Sequence, residues 1–209
     1  MVALSELLSG FVGSLVGGGL AILGAVWGAH LQHAAQLKLA DKAAATEIAG
    51  YLGALHAEIT VLWTSYNTRV RPALNAVTDG QVFDFKWPAR YDYFTVYNTN
   101  AHLLGRVPGP DLRNLIVTTY TATKGMLDSL QYNGEAVQAL TDLQGLAGPE
   151  HLSRKVQIAS SNAALVEYSR GLKASDLELA GLVGALLPQL EVMTPPPEVN
   201  SGRTPRNVT

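Results

Sequence analysis

Hydrophobic and polar positions divide this chain into three regimes. Residues 7–29 contain no charged side chain. At about 1.5 Å per helical residue the run covers roughly 34 Å, enough for a hydrocarbon core of about 30 Å, and it predicts one transmembrane helix. Residues 32–193 alternate apolar and polar positions at helical spacing and predict a helical bundle. Residues 194–209, opening on Thr194-Pro195-Pro196-Pro197, hold few apolar groups. They predict a disordered or extended tail, because burial there cannot offset the entropy of ordering. The domain plan is therefore an N-terminal segment and membrane helix over 1–31, a cytoplasmic bundle over 32–193 and a Pro-rich tail over 194–209.

Within the first regime Gly13, Gly17, Ala21, Ala25 and Ala29 recur every four residues and form one smooth stripe. Gly24 and Gly28 add a second small pair beside it. Lipid gives helices no hydrophobic reason to associate, whereas small residues let backbones approach and gain dispersion contacts. The stripe predicts a homo-oligomer, with Leu15, Leu20, Ile22, Leu23 and Val26 facing lipid. A cleaved signal peptide fits less well. No Lys or Arg precedes the run, the run is long, and Trp27 and His30 stand where a cleavage site needs small residues. Lys38 and Lys42 follow the run, so the positive-inside rule puts the N-terminus outside and the C-terminal domain in the cytoplasm of a bacterial inner membrane.

In the second regime residues 30–50 are rich in helix formers, and Ile48, Leu52, Leu55, Ile59, Leu62 and Tyr66 follow a 4-3-4-3-4 seam. One helix is expected from about residue 10 to about residue 70, ended or kinked by Pro72. Gly50 and Gly53 in its interior predict a close neighbour. Thr78-Asp79-Gly80 is a turn signal. Val82 to Trp87 alternates like a strand but has nothing to pair with, so an extended segment is expected, tucking Phe83, Phe85 or Trp87 against the bundle, with Pro88 at its exit. A short helix is expected over Tyr91–Leu104, capped by Gly105. A long helix follows from Asp111 to about Ala147, with Pro110 in its first turn and a weak point at Asn133-Gly134. After a stop at Gly148-Pro149, a last helix runs from about Glu150 to Leu190, burying Leu152, Val156, Ala159, Ala163 and Val166, then Leu179, Leu182, Val183 and Leu186, with a bend at Gly171. The fold class is all-α, a transmembrane helix continuous with the first helix of an up-and-down bundle.

Composition narrows the chemistry. A formal net charge of −2 over 209 residues argues against a nucleic-acid partner. The absence of cysteine removes disulfides, thiolate catalysis and thiolate metal sites. His30 and His33 share a helix face but do not complete a metal site, which wants three or four ligands. No phosphate loop or nucleophile elbow is present, and no arginine has a histidine at the short spacing used by helical ribonucleases. No catalytic residue, cofactor or metal is expected. The densest polar and aromatic cluster is Arg90 to His102. With the next helix it could form a pocket from Tyr93, Tyr97, Asn100, His102, Arg113, Tyr120 and Lys124, or simply lock a short helix in place.

The run Tyr91-Asp92-Tyr93-Phe94-Thr95-Val96-Tyr97-Asn98-Thr99-Asn100-Ala101-His102-Leu103-Leu104-Gly105, followed by the stretch from Asp111 to Ser129, resembles a group of uncharacterised bacterial membrane-anchored proteins. The resemblance covers roughly residues 50–135. It implies an anchor and a helical body, and no activity.

Three functional readings follow. The first is a membrane-anchored homo-oligomer, partnered by itself and the lipid bilayer, acting as scaffold or membrane effector. An anti-phage or stress role would rest on analogy alone. The second is a sensor module whose bundle holds a ligand or protein partner near Tyr93–His102. The third is a tethered enzyme using Asp92, His102 or Lys124.

Overall fold

The computed structural model describes the backbone of residues 2–87, 93–146 and 152–193, and their side chains from residue 32 onward except residue 34. The side chains of the 7–29 run, and all of residues 88–92, the Gly148-Pro149 stop and the tail, lie outside the described residues. Among the described residues no helix is long and apolar enough to cross a membrane.

All regular structure among the described residues is helical: α1 (Val2–Arg69), α2 (Arg71–Ala76), α3 (Thr95–Thr99), a 3-10 turn (Ala101–Arg106), α4 (Pro110–Gly145) and α5 (Leu152–Met193). The chain divides into two compact units, residues 1–47 and 48–209. In the first unit the described part of α1 is exposed, Leu37 and Leu39 included.

The second unit is a bundle of α1 from Ile48, α4 and α5. The α1 seam is buried at Ile48, Leu52, Leu55, Ile59 and Tyr66, where a 3.5-residue repeat keeps one stripe inward. Cross-contacts give the directions. Glu58 meets Tyr120 and, further along both helices, Leu62 and Tyr66 share a cleft with Thr123 and Leu127, so α1 and α4 run in the same sense; Tyr66 meets Asp176 while the earlier Ile59 shares that cleft with Val183, and Ser129 meets Tyr168 while the earlier Met126 shares it with Leu179, so α5 opposes both. The return stroke between α1 and α4 is not a long helix. Residues 77–87 form a strap, neither helix nor strand, that passes over α4 and α5 and turns tightly where the Phe85 N–H bonds the Phe83 carbonyl at 3.0 Å; α3 and the 3-10 turn follow it.

The strap accounts for the Asn133-Gly134 pair. Asn133-Gly134 does not kink α4, which runs unbroken through it. Instead Asn133, fully buried, donates from Nδ2 to the carbonyls of Phe83 at 2.8 Å and Phe85 at 3.3 Å. At Gly134 an added Cβ would lie 3.4 Å from Lys86 Cα, so the missing side chain lets the strap backbone lie close. On α5 the Ser169 hydroxyl accepts the Phe83 N–H at 2.8 Å, and Lys173 Nζ donates to the Val77 carbonyl. Side chains thus satisfy backbone groups that a sheet partner would otherwise have to meet. Phe83 is buried, and Phe85 and Trp87 are half-buried beside it in a stacked row. The strap opens with the expected turn, Gly80 at φ +82° and the Gln81 N–H bonded to the Thr78 carbonyl at 3.1 Å.

Other boundaries shift for local reasons. The short helix narrows to Thr95–Thr99 and continues as the 3-10 turn. Gly105 lies inside that turn rather than capping a helix in the left-handed region, and the turn ends at an extended Val107. Pro72 sits in the first turn of α2, where its missing N–H costs little. Gly171 does not interrupt α5, which also runs through Pro188. The seam of α5 is Leu165, Ser169, Leu172, Asp176, Leu179, Val183, Leu186 and Leu190. Leu152, Val156, Ala159 and Ala163 are exposed, because Ser169 and Asp176 hold seam positions and disguise its phase.

Gly50 has nothing within 4 Å of the place its Cβ would take, so no close neighbour explains it. Gly50→Ala is expected to raise stability by about 0.5–1 kcal/mol through helix propensity alone, measured by urea unfolding. A loss of stability would mean that another surface packs against that position.

Candidate functional site

The polar interior of the second unit is organised around two carboxylates. Glu58 reaches from α1 to the start of α3. Its Oε1 accepts the Val96 N–H at 2.8 Å, and its Oε2 accepts the Tyr97 N–H at 3.3 Å and the Tyr120 hydroxyl at 2.9 Å. First-turn N–H groups have no partner within their own helix, and Phe94, at the cap position, offers no side-chain bond. Glu58 therefore caps α3 from another helix. Tyr97 stacks on Tyr120 at 4.2 Å between centroids, and Phe94 meets Tyr120 edge-on at 5.6 Å. Burial, then the nearby Tyr97 and Glu58, pushes the Tyr51 phenol up to about 12. Burial and then Glu58 raise Tyr120 well above the ordinary tyrosine range.

The second centre is Asp176 on α5, only 3 % exposed. Its Oδ1 accepts the Tyr66 hydroxyl at 2.9 Å, and its Oδ2 accepts Arg71 Nε at 3.2 Å. Arg71 also lies 5.4 Å from the centroid of the Trp63 ring and donates to Asn67 Oδ1 at 3.4 Å. One carboxylate thus ties α1, α2 and α5 together. Burial, then the hydrogen bond to Asp176, raises the Tyr66 phenol.

Between these centres lies a small, largely apolar cleft with a cavity volume of about 40 Å³. Leu62 of α1, Leu127 of α4 and Leu179 of α5 contribute to its walls, and Trp87 and Tyr93 border it from the connection between α1 and α4.

The residues expected to form one pocket are dispersed. Tyr97 and Tyr120 meet at Glu58, and Tyr93 borders the cleft 6.5 Å from Trp87. Asn100 Nδ2 donates to the Val96 carbonyl at 2.9 Å, and Arg113 Nη1 donates to the Val107 carbonyl at 2.7 Å, so both secure nearby backbone. His102 is exposed, and Lys124 pairs with Asp128 at 3.1 Å on the surface of α4. Sequence reasoning gave Glu58 and Asp176 no role and read Asn133 only as a weak point in its helix. For Asn133 and Asp176 the available signal was a polar residue at a position where the seam calls for an apolar one; Glu58, beside the seam, carried no such signal. Among the described residues no group of three potential ligands is placed to hold a metal. No family model, no curated protein and no solved structure matches this chain.

The chemistry open to this interior is cross-bracing. Glu58 accepts three structural donors and Asp176 two, so both carboxylates are committed to holding elements together. A pH dependence follows. A tyrosine whose folded pKa is raised keeps its proton where the unfolded chain has lost its own. Its contribution is whole below about pH 10 and is lost as pH climbs through the folded values. Tyr51, Tyr66 and Tyr120 are expected to ionise above the ordinary tyrosine range and together with the loss of helical circular dichroism. Ionisation of these three near pH 10 with the helices intact, followed by phenolate absorbance in single Tyr→Phe variants, would contradict this.

Proposed function

We propose that this chain is a membrane-anchored, non-enzymatic helical protein that self-associates through residues 13–29 and presents its bundle in the cytoplasm as a scaffold or membrane effector. The observation that carries the reading is the uncharged run 7–29 with small residues in strict four-residue register. It lies within the same helix, Val2–Arg69, that supplies the bundle seam. The commitment of the half-buried Glu58 and the buried Asp176 to structural bonds adds support, since both carboxylates are occupied by groups of the fold.

The test has two arms. The full chain should sediment with membranes, and its bundle should resist protease added outside spheroplasts. The detergent-solubilised chain should be an oligomer by mass, and Gly17→Leu, which obstructs the stripe, should shift it toward monomer. A native monomer, or an oligomer that Gly17→Leu leaves intact, would overturn the assembly. A chain recovered without membranes would overturn the anchor.

A further inference from the structure

The second half of α4 and the first half of α5 enclose an open groove with a cavity volume of about 830 Å³. Tyr132 of α4 and Tyr168 of α5 form an aromatic pair at one end, ring centroids 5.2 Å apart, and Leu143 and Leu146 line it further along α4. Tyr132 is 59 % exposed and Leu146 56 %, so this apolar surface faces solvent. The strap does not fill it. Asn133, Gly134 and Ser169, which hold the strap, are not among the residues that line the groove. Two of the lining side chains, Glu135 and Asp142, are acidic and none is basic. Each accepts a bond from a neutral glutamine amide one turn earlier, Gln131 at 3.0 Å and Gln138 at 2.6 Å. A carboxylate has room for about four donors, so both keep capacity for a cation.

We propose that this groove seats the chain's own Pro-rich tail, with Pro205 against the Tyr132–Tyr168 pair and Arg206 toward Glu135. The tail, which lies outside the described residues, leaves α5 after Met193. Tyr168 stands about 25 residues before that point, or about 38 Å at 1.5 Å per residue of helix. A polyproline chain rises about 3.1 Å per residue, so about twelve residues from Thr194 span the distance and reach Pro205. Running back along α5, the tail follows α4 in its own sense and meets Glu135 just after Tyr132. Aromatic-lined grooves take Pro-rich segments because these are already restricted and lose little entropy on docking. Charge agrees with this occupant. Arg203 and Arg206 flank Pro205, and the groove opposes them with acidic side chains alone. The seat lies within the second unit and stands or falls separately from self-association through residues 13–29.

The test is disulfide trapping, which the cysteine-free sequence permits without background. A disulfide needs two Cα atoms within about 7 Å. At the same rise per residue Val208 falls level with Ala139, an exposed residue of the groove. The full chain in detergent, carrying Ala139→Cys and Val208→Cys, should close this bond within one molecule. In a second pair Ala159→Cys replaces Ala139→Cys, at an exposed position of α5 that does not line the groove. That pair should close about tenfold more slowly, the ratio for a seat worth about 1.4 kcal/mol. Tyr132→Ala, at a mostly exposed position, should slow the first pair by roughly tenfold, the loss typical of truncating a tyrosine anchor. Equal rates for the two pairs would mean that the tail is not seated and would overturn the proposal. So would a rate that Tyr132→Ala leaves unchanged. Disulfide-linked dimers in place of the internal bond would mean that another copy's tail fills the groove, and would overturn the internal seat. The comparison of the two pairs decides the matter even if Tyr132→Ala folds poorly.

Discussion

Asp176→Ala is expected to cost the second unit about 3 kcal/mol, close to the larger effects seen when one partner of a buried ionic contact is removed. Asp176 is 3 % exposed and accepts from both Tyr66 and Arg71. Its loss leaves the buried Tyr66 hydroxyl unpaired and takes from Arg71 the group that holds it over Trp63. Arg71 keeps 30 % of its side-chain surface in solvent and recovers part of its hydration, which holds the loss near the lower end of the usual range. Urea unfolding measures the effect, and a double-mutant cycle with Tyr66→Phe should show coupling of about 1 kcal/mol or more. A loss below about 1 kcal/mol would mean that Asp176 does not brace the three helices.

The second large effect belongs to the strap. Phe83→Ala should destabilise by about 3–5 kcal/mol, the range for emptying a buried aromatic site. Phe83 is 1 % exposed, stacks on Phe85 at 5.3 Å, and bonds through its backbone to Ser169 and Asn133. Hydrogen exchange separates two routes to that loss. Faster exchange confined to residues 77–87 would show the strap releasing from an intact bundle, whereas faster exchange throughout α4 and α5 would show that the bundle depends on it. An unchanged unfolding midpoint would contradict the placement of Phe83 in the core. Asn133→Ala removes the donor to the same two carbonyls and should act in the same direction with a smaller loss.

These residues also show how far the chain can be read without coordinates. The α1 seam from Ile48 to Tyr66 was legible because apolar residues repeat there without interruption. The same logic placed α4, whose start at Pro110 reflects the tolerance of a helix's first turn for a residue without an N–H. It failed at the start of α5. Leu152 and Val156 are apolar but exposed, and the true seam passes through Ser169 and Asp176. Periodicity sorts residues by side-chain type, and a polar residue buried for its hydrogen bonds is sorted to the wrong face. The expected pocket dispersed for a related reason. Tyr97 and Tyr120 meet only because Glu58, distant in sequence, places its carboxylate between helices, whereas Asn100 and Arg113 found acceptors close by in their own segments.

What the sequence determined by itself is the all-helical character of the bundle, a non-helical run from Val82 to Trp87 that buries Phe83, and the turn at Thr78-Asp79-Gly80. These depend on periodicity, propensity and backbone freedom, which act within a few residues. Only the tertiary structure decided that the non-helical run lies against Asn133 and Ser169, that Glu58 caps α3, and that Asp176 joins three helices. A buried donor or acceptor must find a partner, and which partner lies within about 3 Å depends on segments far apart in the chain.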